Sequence, residues 1–374
     1  MSVEQERGEA ARAFLAQAGW DGASVTALPG DASSRRYYRV VRNGHGAMLM
    51  DQPRGAETPA CPSDATPEER QALGYNATAR LAGPDCARFI ATANFLRSRG
   101  LAAPEIYADD TTQGFVLLED FGDDLYADVL GKDAAEDVLY RAAIDAIARL
   151  HAEPAPQRLS PQAVLHDYDL TACLAETDLM TEWFMPLALG RHASAEEMAE
   201  HRALWREALA TVRPPDPVFV HRDYHAQNLF WLPGRSGEAR VGMIDFQDAL
   251  AGNRSYDVIS LLEDARRDVP PELASSMKAH YLAAMKAQGH ELNGEAWTAE
   301  AAVTAAQRNA KIAGIFARLA QRDGKPRYLG HLPRVWRYLE GDLAHPALAG
   351  LRAWYDRTIP RETRHSLHHE GELA

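Results

Sequence analysis

The sequence predicts an α+β protein with a small amino-terminal lobe built on an antiparallel sheet and a larger, mostly helical carboxyl-terminal lobe. Three observations lead there. Short apolar runs separated by turn residues fill the first part of the chain, helical periodicity takes over beyond residue 119, and one compact unit of strands and loops at 218–246 interrupts the helices. A chain of 374 residues is long enough for a core in each lobe, and the boundary is placed between 1–119 and 120–374.

Residues 5–18 read as a helix with Phe14 and Leu15 on its apolar side and Gly19 as its stop. Strand-like runs follow at 25–28, 37–41 and 47–50. The first pair is separated by Gly30-Asp31-Ala32-Ser33-Ser34, too long for a tight hairpin, and the second by Asn43-Gly44-His45-Gly46, which suits one. Residues 54–67 are rich in Pro, Ala and Gly and read as an exposed insertion. Helical spacing returns over 85–99 through Phe89, Ile90, Ala93 and Leu96, stopping at Gly100, and two further strands are expected at 105–108 and 115–119. The polar run 119–124 marks the lobe boundary. Beyond it, long helices are expected over 134–151, 170–187, 195–212, 272–288, 296–321 and 332–339.

A hydrophobic content of 46% and a charged content of 25% are ordinary for a soluble globular protein. The net charge of -13 disfavours nonspecific binding to nucleic acid or anionic membranes, so neither is expected as a partner. Residues 1–18 mix Glu and Arg without an apolar core, no signal peptide is expected, and no run approaches transmembrane length. Cys61, Cys86 and Cys173 are scattered, which suggests reduced thiols and a cytoplasmic protein. His365, His368 and His369 read as a solvated tail rather than a metal site. Lysine occurs only at Lys132, Lys278, Lys286, Lys311 and Lys325, so arginine supplies most of the positive charge.

The most informative stretch is His221-Arg222-Asp223-Tyr224-His225-Ala226-Gln227-Asn228, followed by Met243-Ile244-Asp245-Phe246-Gln247. Short apolar runs at 218–220, 229–232 and 240–244 frame it as strand, loop and hairpin. Phosphoryl transfer needs an aspartate to receive the proton of an attacking hydroxyl, and an amide oxygen and a second carboxylate to hold magnesium on the nucleotide phosphates. Asp223, Asn228 and Asp245 fit those roles in order and spacing.

On these residues, with the small-residue loop at 30–34, the hinge at 117–122 and Ala148-Arg149-Leu150-His151, the chain resembles the aminoglycoside phosphotransferase family over nearly its whole length. The resemblance implies a bilobal protein-kinase-like fold, ATP and Mg2+, and a small-molecule hydroxyl as acceptor. Gly30-Asp31-Ala32-Ser33-Ser34-Arg35-Arg36-Tyr37-Tyr38-Arg39-Val40, Asp245-Phe246-Gln247-Asp248, Ile315-Phe316-Ala317-Arg318-Leu319 and Arg322-Asp323-Gly324-Lys325-Pro326-Arg327-Tyr328-Leu329 are more specific. They are similar to bacterial anomeric sugar kinases that act on N-acetylmuramate and N-acetylglucosamine in peptidoglycan recycling, which implies an α-1-phosphate product. Another small-molecule kinase of the family, for an aminoglycoside, choline or homoserine, stays open, as does a catalytically silent nucleotide-binding module. A monomer is expected.

The sequence departs from the kinase pattern at one place. A lysine on the third strand normally pairs with a glutamate on the next helix to hold the phosphates; here the strand reads Ala47-Met48-Leu49-Met50-Asp51, and 85–99 has no glutamate. Arg35, Arg36 or Arg39 is expected to supply the cation instead. By the same resemblance, backbone amides of Ala32, Ser33 and Ser34 lie over the phosphates, and the main chain near Glu119 and Phe121 meets adenine. His221 braces the loop, and His225, Gln247, Asp248, Glu263 and Arg308 bind the sugar. Arg308 or Arg318 is expected at the muramate carboxylate.

Overall fold

The computed structural model describes residues 3–29, 35–53, 60–82, 85–131, 136–212, 214 and 216–366. Their contacts divide the chain into two compact units, each discontinuous in sequence. The first comprises residues 1–146, 156–166 and 226–249, the second 147–155, 167–225 and 250–374.

The first unit opens with α1 (Val3–Gln17), β1 (Ser24–Ala27), β2 (Arg36–Arg42) and β3 (His45–Asp51), followed by α2 (Pro67–Leu73), α3 (Cys86–Ser98), β4 (Ile106–Asp110) and β5 (Phe115–Leu118). The strands form one antiparallel sheet in the order β1-β2-β3-β5-β4. The β2–β3 register places Arg42 opposite His45 across the two-residue turn Asn43-Gly44. Both turn residues have positive φ, 51° and 81°, the backbone that matches the twist of a tight hairpin and that Asn and Gly tolerate best. One face of the sheet is closed by α1, whose Phe14 and Leu15 pack with Val40, Ala47, Leu49, Phe115 and Leu117. Because side chains alternate along a strand, β2 presents Tyr38 and Val40 to that core and sends Tyr37 and Arg39 to the other face.

Of the exposed insertion expected at 54–67, residues 54–59 lie outside the described residues, and of 60–67 all but Cys61 and the half-buried Ala65 are exposed, as expected. Cys61 is buried, and its amide bonds to Leu81 O. Thr66 then starts α2 with a capping box, Glu69 N donating to Thr66 Oγ1 at 3.2 Å and Thr66 N to Glu69 Oε2 at 2.8 Å. A π-turn, Asn76–Arg80, follows and leads towards α3. The unit is completed by a hairpin of Leu229–Trp231 with Val241–Met243, whose Met243 N bonds to Ala102 O at 2.8 Å.

The second unit is helical, around the 28-residue helix Gly294–Gln321. Val303, Ala306, Ala310, Ala313 and Ala317, at helical spacing, bury one face of it in a core with Trp205, Trp336, Trp354 and Tyr355. The single helix expected over 170–187 is instead Leu170–Leu179, a π-turn at Met180–Phe184 and Met185–Leu189. Two causes are visible. Pro186 has no N–H to continue the α ladder, and Gly314 crosses so near that a Cβ there would lie 2.5 Å from that of Leu179. Helices Ser255–Leu262, Ala349–Thr358 and Arg361–Ser366 were not expected from periodicity. Strand Val218–Val220 pairs antiparallel with Leu250–Gly252. Among the described residues no helix is long and apolar enough to cross a membrane.

Candidate active site

In the first unit, Asn228 and Asp245 stand at the same end of the hairpin, since Met243 pairs with Leu229 and Ile244 N donates to Asn228 O at 3.0 Å. Asp245 has φ +62°, a left-handed backbone that costs a non-glycine residue about 1–2 kcal/mol. The surroundings impose it. Phe246 stacks on Phe89 of α3 at 4.9 Å. Arg88, buried on the same helix, donates to the carbonyls of Gln247 and Ala249, both at 2.7 Å, and to that of Val164. Arg80 of the π-turn grips Asp248 with three hydrogen bonds of 2.9–3.1 Å.

Arg35, just ahead of β2, completes the bracket. Its Nη2 donates to Asp245 Oδ1 at 2.6 Å and its Nη1 to Gln247 Oε1 at 2.6 Å, while Gln247 Nε2 donates to Asp245 Oδ1 at 3.0 Å. Burial works against its charge, but Tyr37, Asp245 and Asp248 more than offset it, and the guanidinium is held further towards its charged form. The Arg35 side chain is 9% exposed and that of Asp245 38%, so the carboxylate is reachable from solvent. The helix that lacks the kinase glutamate therefore carries an arginine aimed at main-chain carbonyls, and a second arginine sits on the aspartate itself.

The other arginines of this stretch go elsewhere. Arg39 pairs with Asp120 at 2.7 Å and Asp123 at 2.8 Å and so ties β2 to residues 120–123. Arg36 is exposed on β2. Glu119 donates its amide to Glu105 O at 2.8 Å, and its carboxylate is bonded by Arg235. Phe121 meets Phe230 edge-on at 5.7 Å and lies against Gly242, where a Cβ would come within 2.8 Å of the ring. Ala32, Ser33 and Ser34 lie outside the described residues.

In the second unit, Asp257 is fully buried and accepts the amides of His221 at 2.7 Å and Arg222 at 2.9 Å. This fixes the backbone immediately before Asp223, where Arg222 adopts φ +79°. The His221 ring packs edge-on against Tyr224 at 5.5 Å. The Arg222 guanidinium pairs with buried Glu176. Burial pushes the Glu176 carboxyl up, but Lys311 and Arg222 outweigh it and keep the group below its ordinary value. Lys311 also donates to Tyr256 Oη at 2.6 Å.

The residues expected to bind sugar are placed as follows. His225 is buried near Arg266, and burial pushes its imidazole down to about 4. Glu263 accepts from Asn309 at 2.9 Å, and burial pushes its carboxyl up. Arg308 is 4% exposed and donates to Glu263 O at 3.1 Å and Ser260 Oγ at 3.0 Å. Gln247 and Asp248 are engaged by Arg35 and Arg80, as above. Arg80, Arg88, Glu176, Asp257 and Lys311 were missed by sequence reasoning; Asp257, an acid in the apolar run Tyr256 to Leu262, carried the clearest signal.

The donor set at the hairpin end fits magnesium. A carboxylate and an amide are hard oxygen ligands, and this ion takes one or two protein carboxylates and fills its shell with water and phosphate oxygens.

A model of the phosphotransferase enzyme family matches residues 24–292. The chain belongs to that family. Among curated phosphotransferases, it is 44% identical to the N-acetylmuramate/N-acetylglucosamine kinase of Caulobacter vibrioides, over 97% of this chain and 100% of that one. Among solved structures, it is similar to a choline/ethanolamine kinase family protein from Mesorhizobium loti, with TM-score 0.54 and 14% identity over 93% of this chain and 99% of that one. An ADP-bound aminoglycoside phosphotransferase gives TM-score 0.52 and 16% identity over 90% and 97%. At such identities the likeness carries the fold alone, which is protein-kinase-like.

Proposed function

We propose that this phosphotransferase is an ATP-dependent anomeric kinase that converts N-acetylmuramate and N-acetylglucosamine to their α-1-phosphates in peptidoglycan recycling. The observation that carries the reading is the 44% identity to a kinase of that name across the length of both chains. Residues 1–119 take the nucleotide and 120–374 the chemistry and the sugar. Asp223 receives the proton of the anomeric hydroxyl as the oxygen attacks the γ-phosphorus, whose bond to the β,γ-bridging oxygen breaks so that ADP leaves. Asn228 and Asp245 hold the magnesium ion, which when bound neutralises phosphate charge. Backbone amides of Ala32, Ser33 and Ser34, with Arg35, meet the phosphates, and the main chain near Glu119 and Phe121 meets adenine; Arg36, expected beside Arg35, lies with Tyr38 on the α1 face of β2 and takes no part.

For the sugar we propose His225, Gln247, Asp248, Glu263 and Arg308. Gln247, Asp248 and Arg308 each already hold a protein partner, so each meets a hydroxyl from a fixed position. The enzyme works in the cytoplasm as a monomer.

The test is purified protein with MgATP and a panel of acceptors. N-acetylmuramate and N-acetylglucosamine should be phosphorylated, and their 1-O-methyl glycosides should not, because methylation removes the attacking hydroxyl. Turnover of a methyl glycoside would exclude anomeric transfer as the sole chemistry. Turnover only of choline, homoserine or an aminoglycoside would replace the substrate class.

A further inference from the structure

Asp245 holds a monovalent cation of the protein's own on the carboxylate proposed for the metal. Oδ1 accepts from Arg35 Nη2 at 2.6 Å and from Gln247 Nε2 at 3.0 Å, and Gln247 Oε1 accepts from the second Arg35 nitrogen at 2.6 Å. Guanidinium, amide and carboxylate thus form a closed ring of hydrogen bonds. A dication on the same carboxylate would stand a few ångströms from a buried guanidinium, and the two repel. Arg35 can give up Asp245 without loss only when another anion is offered to it. A nucleotide phosphate is such an anion, and a planar guanidinium binds phosphate oxygens as readily as a carboxylate.

Resting on the kinase reading, we propose that Arg35 is an exchange residue: it neutralises Asp245 while no nucleotide is bound, excludes free divalent metal from it, and transfers to the phosphates when metal and nucleotide arrive together. This gives Arg35 a duty that the third-strand lysine of other kinases, already paired with a glutamate, does not have. Metal and nucleotide then bind as a coupled pair, each weak without the other.

The experiment is a titration with Mn2+ as paramagnetic probe, followed by water-proton relaxation, with and without ADP. It compares wild type, Arg35→Gln, Arg35→Lys and Arg42→Gln, each first checked for an unchanged thermal midpoint. Arg42 lies at the far end of β2 and bonds Gly19 O, so its replacement makes the same change of net charge away from Asp245. Without nucleotide, Arg35→Gln should bind Mn2+ about tenfold more tightly than wild type, the scale of one charge-assisted hydrogen bond, and its affinity for ADP with Mn2+ should fall by about tenfold. Arg35→Lys keeps the charge and should bind Mn2+ alone as weakly as wild type, and Arg42→Gln should match wild type throughout. Mn2+ affinity in Arg35→Gln equal to or below wild type would overturn the exchange, even in an enzyme that phosphorylates its sugar. If Arg35→Gln were to melt early, Arg35→Met with the same readout takes its place. Wild-type protein that binds no ADP with Mn2+ would overturn the kinase reading and the exchange together.

Discussion

Residues 245–249 are held by three guanidinium groups, whereas the backbone amides of residues 221–222 are held by one carboxylate. The first segment carries Asp245 and Asp248, so bracing by cations offsets negative charge that would otherwise repel, and draws main-chain carbonyls to Arg88 at the same time. The second is braced through its amides, so Asp257 fixes the direction of the loop whatever the side chain of Asp223 binds. The segment proposed to hold a metal ion is supported by cations, and the segment proposed to carry the proton acceptor is supported by its backbone.

The largest effect should come from the acceptor itself. Asp223→Asn keeps the loop shape but is a poor base, so kcat should fall by about 10²–10⁴-fold with nucleotide affinity nearly unchanged. Steady-state rates beside calorimetric titration with MgADP check it, and turnover near the wild-type rate would remove Asp223 from its role. Asp257→Ala strips two buried amides of their acceptor and should cost about 3–5 kcal/mol of stability, whereas Asp257→Asn, which keeps one oxygen, should cost less. Equal urea midpoints for the two variants would mean that the brace does not act through those bonds.

The loops should also differ in their response to acid. His225 titrates at about 4 in the native protein against 6.5 in the unfolded chain, because burial disfavours its charge ahead of the influences of Asp264, Arg266, Asp223 and Arg308. Between those values the unfolded chain binds the proton first. The contribution is therefore complete above about 6.5 and is lost as pH falls towards 4, by up to about 3 kcal/mol at 1.36 kcal/mol per pKa unit. Stability against pH for His225→Gln should be flatter in that window, and a parallel curve would show that His225 is not the group responsible. The smallest effect belongs to the rim of the arginine bracket. Arg80→Ala breaks a pair whose side chains are 29% and 13% exposed and should cost about 0.5–1.5 kcal/mol by urea denaturation, less than Asp257→Ala.

Much of this was legible in the sequence, for reasons of range. Helices over 195–212 and 296–321 were read to within about two residues because their burial repeats every third or fourth position, and the Asn43-Gly44 turn is written in two adjacent residues. Asp223, Asn228 and Asp245 stood out because one loop and one hairpin carry all three. The supports were hidden, since each joins residues far apart in sequence: Arg80 to Asp248, Arg88 to Ala249, Asp257 to His221. An arginine looks the same in a sequence whether it binds solvent or three carbonyls. The helix over 67–73 is a different omission, because Thr66-Pro67-Glu68-Glu69 spells a capping box and was masked by the Pro- and Ala-rich residues before it.

The chain leaves the first compact unit after residue 146, revisits it at 156–166 and returns once more at 226–249. Whoever wishes to express half of this protein thus meets an obstacle at the gene. A fragment ending near residue 119 would lack Phe246, on which Phe89 stacks, and Met243, whose amide Ala102 receives. Neither unit is a stretch of polypeptide that a stop codon or a single protease nick could release, so the two are inherited, synthesised and degraded as one object.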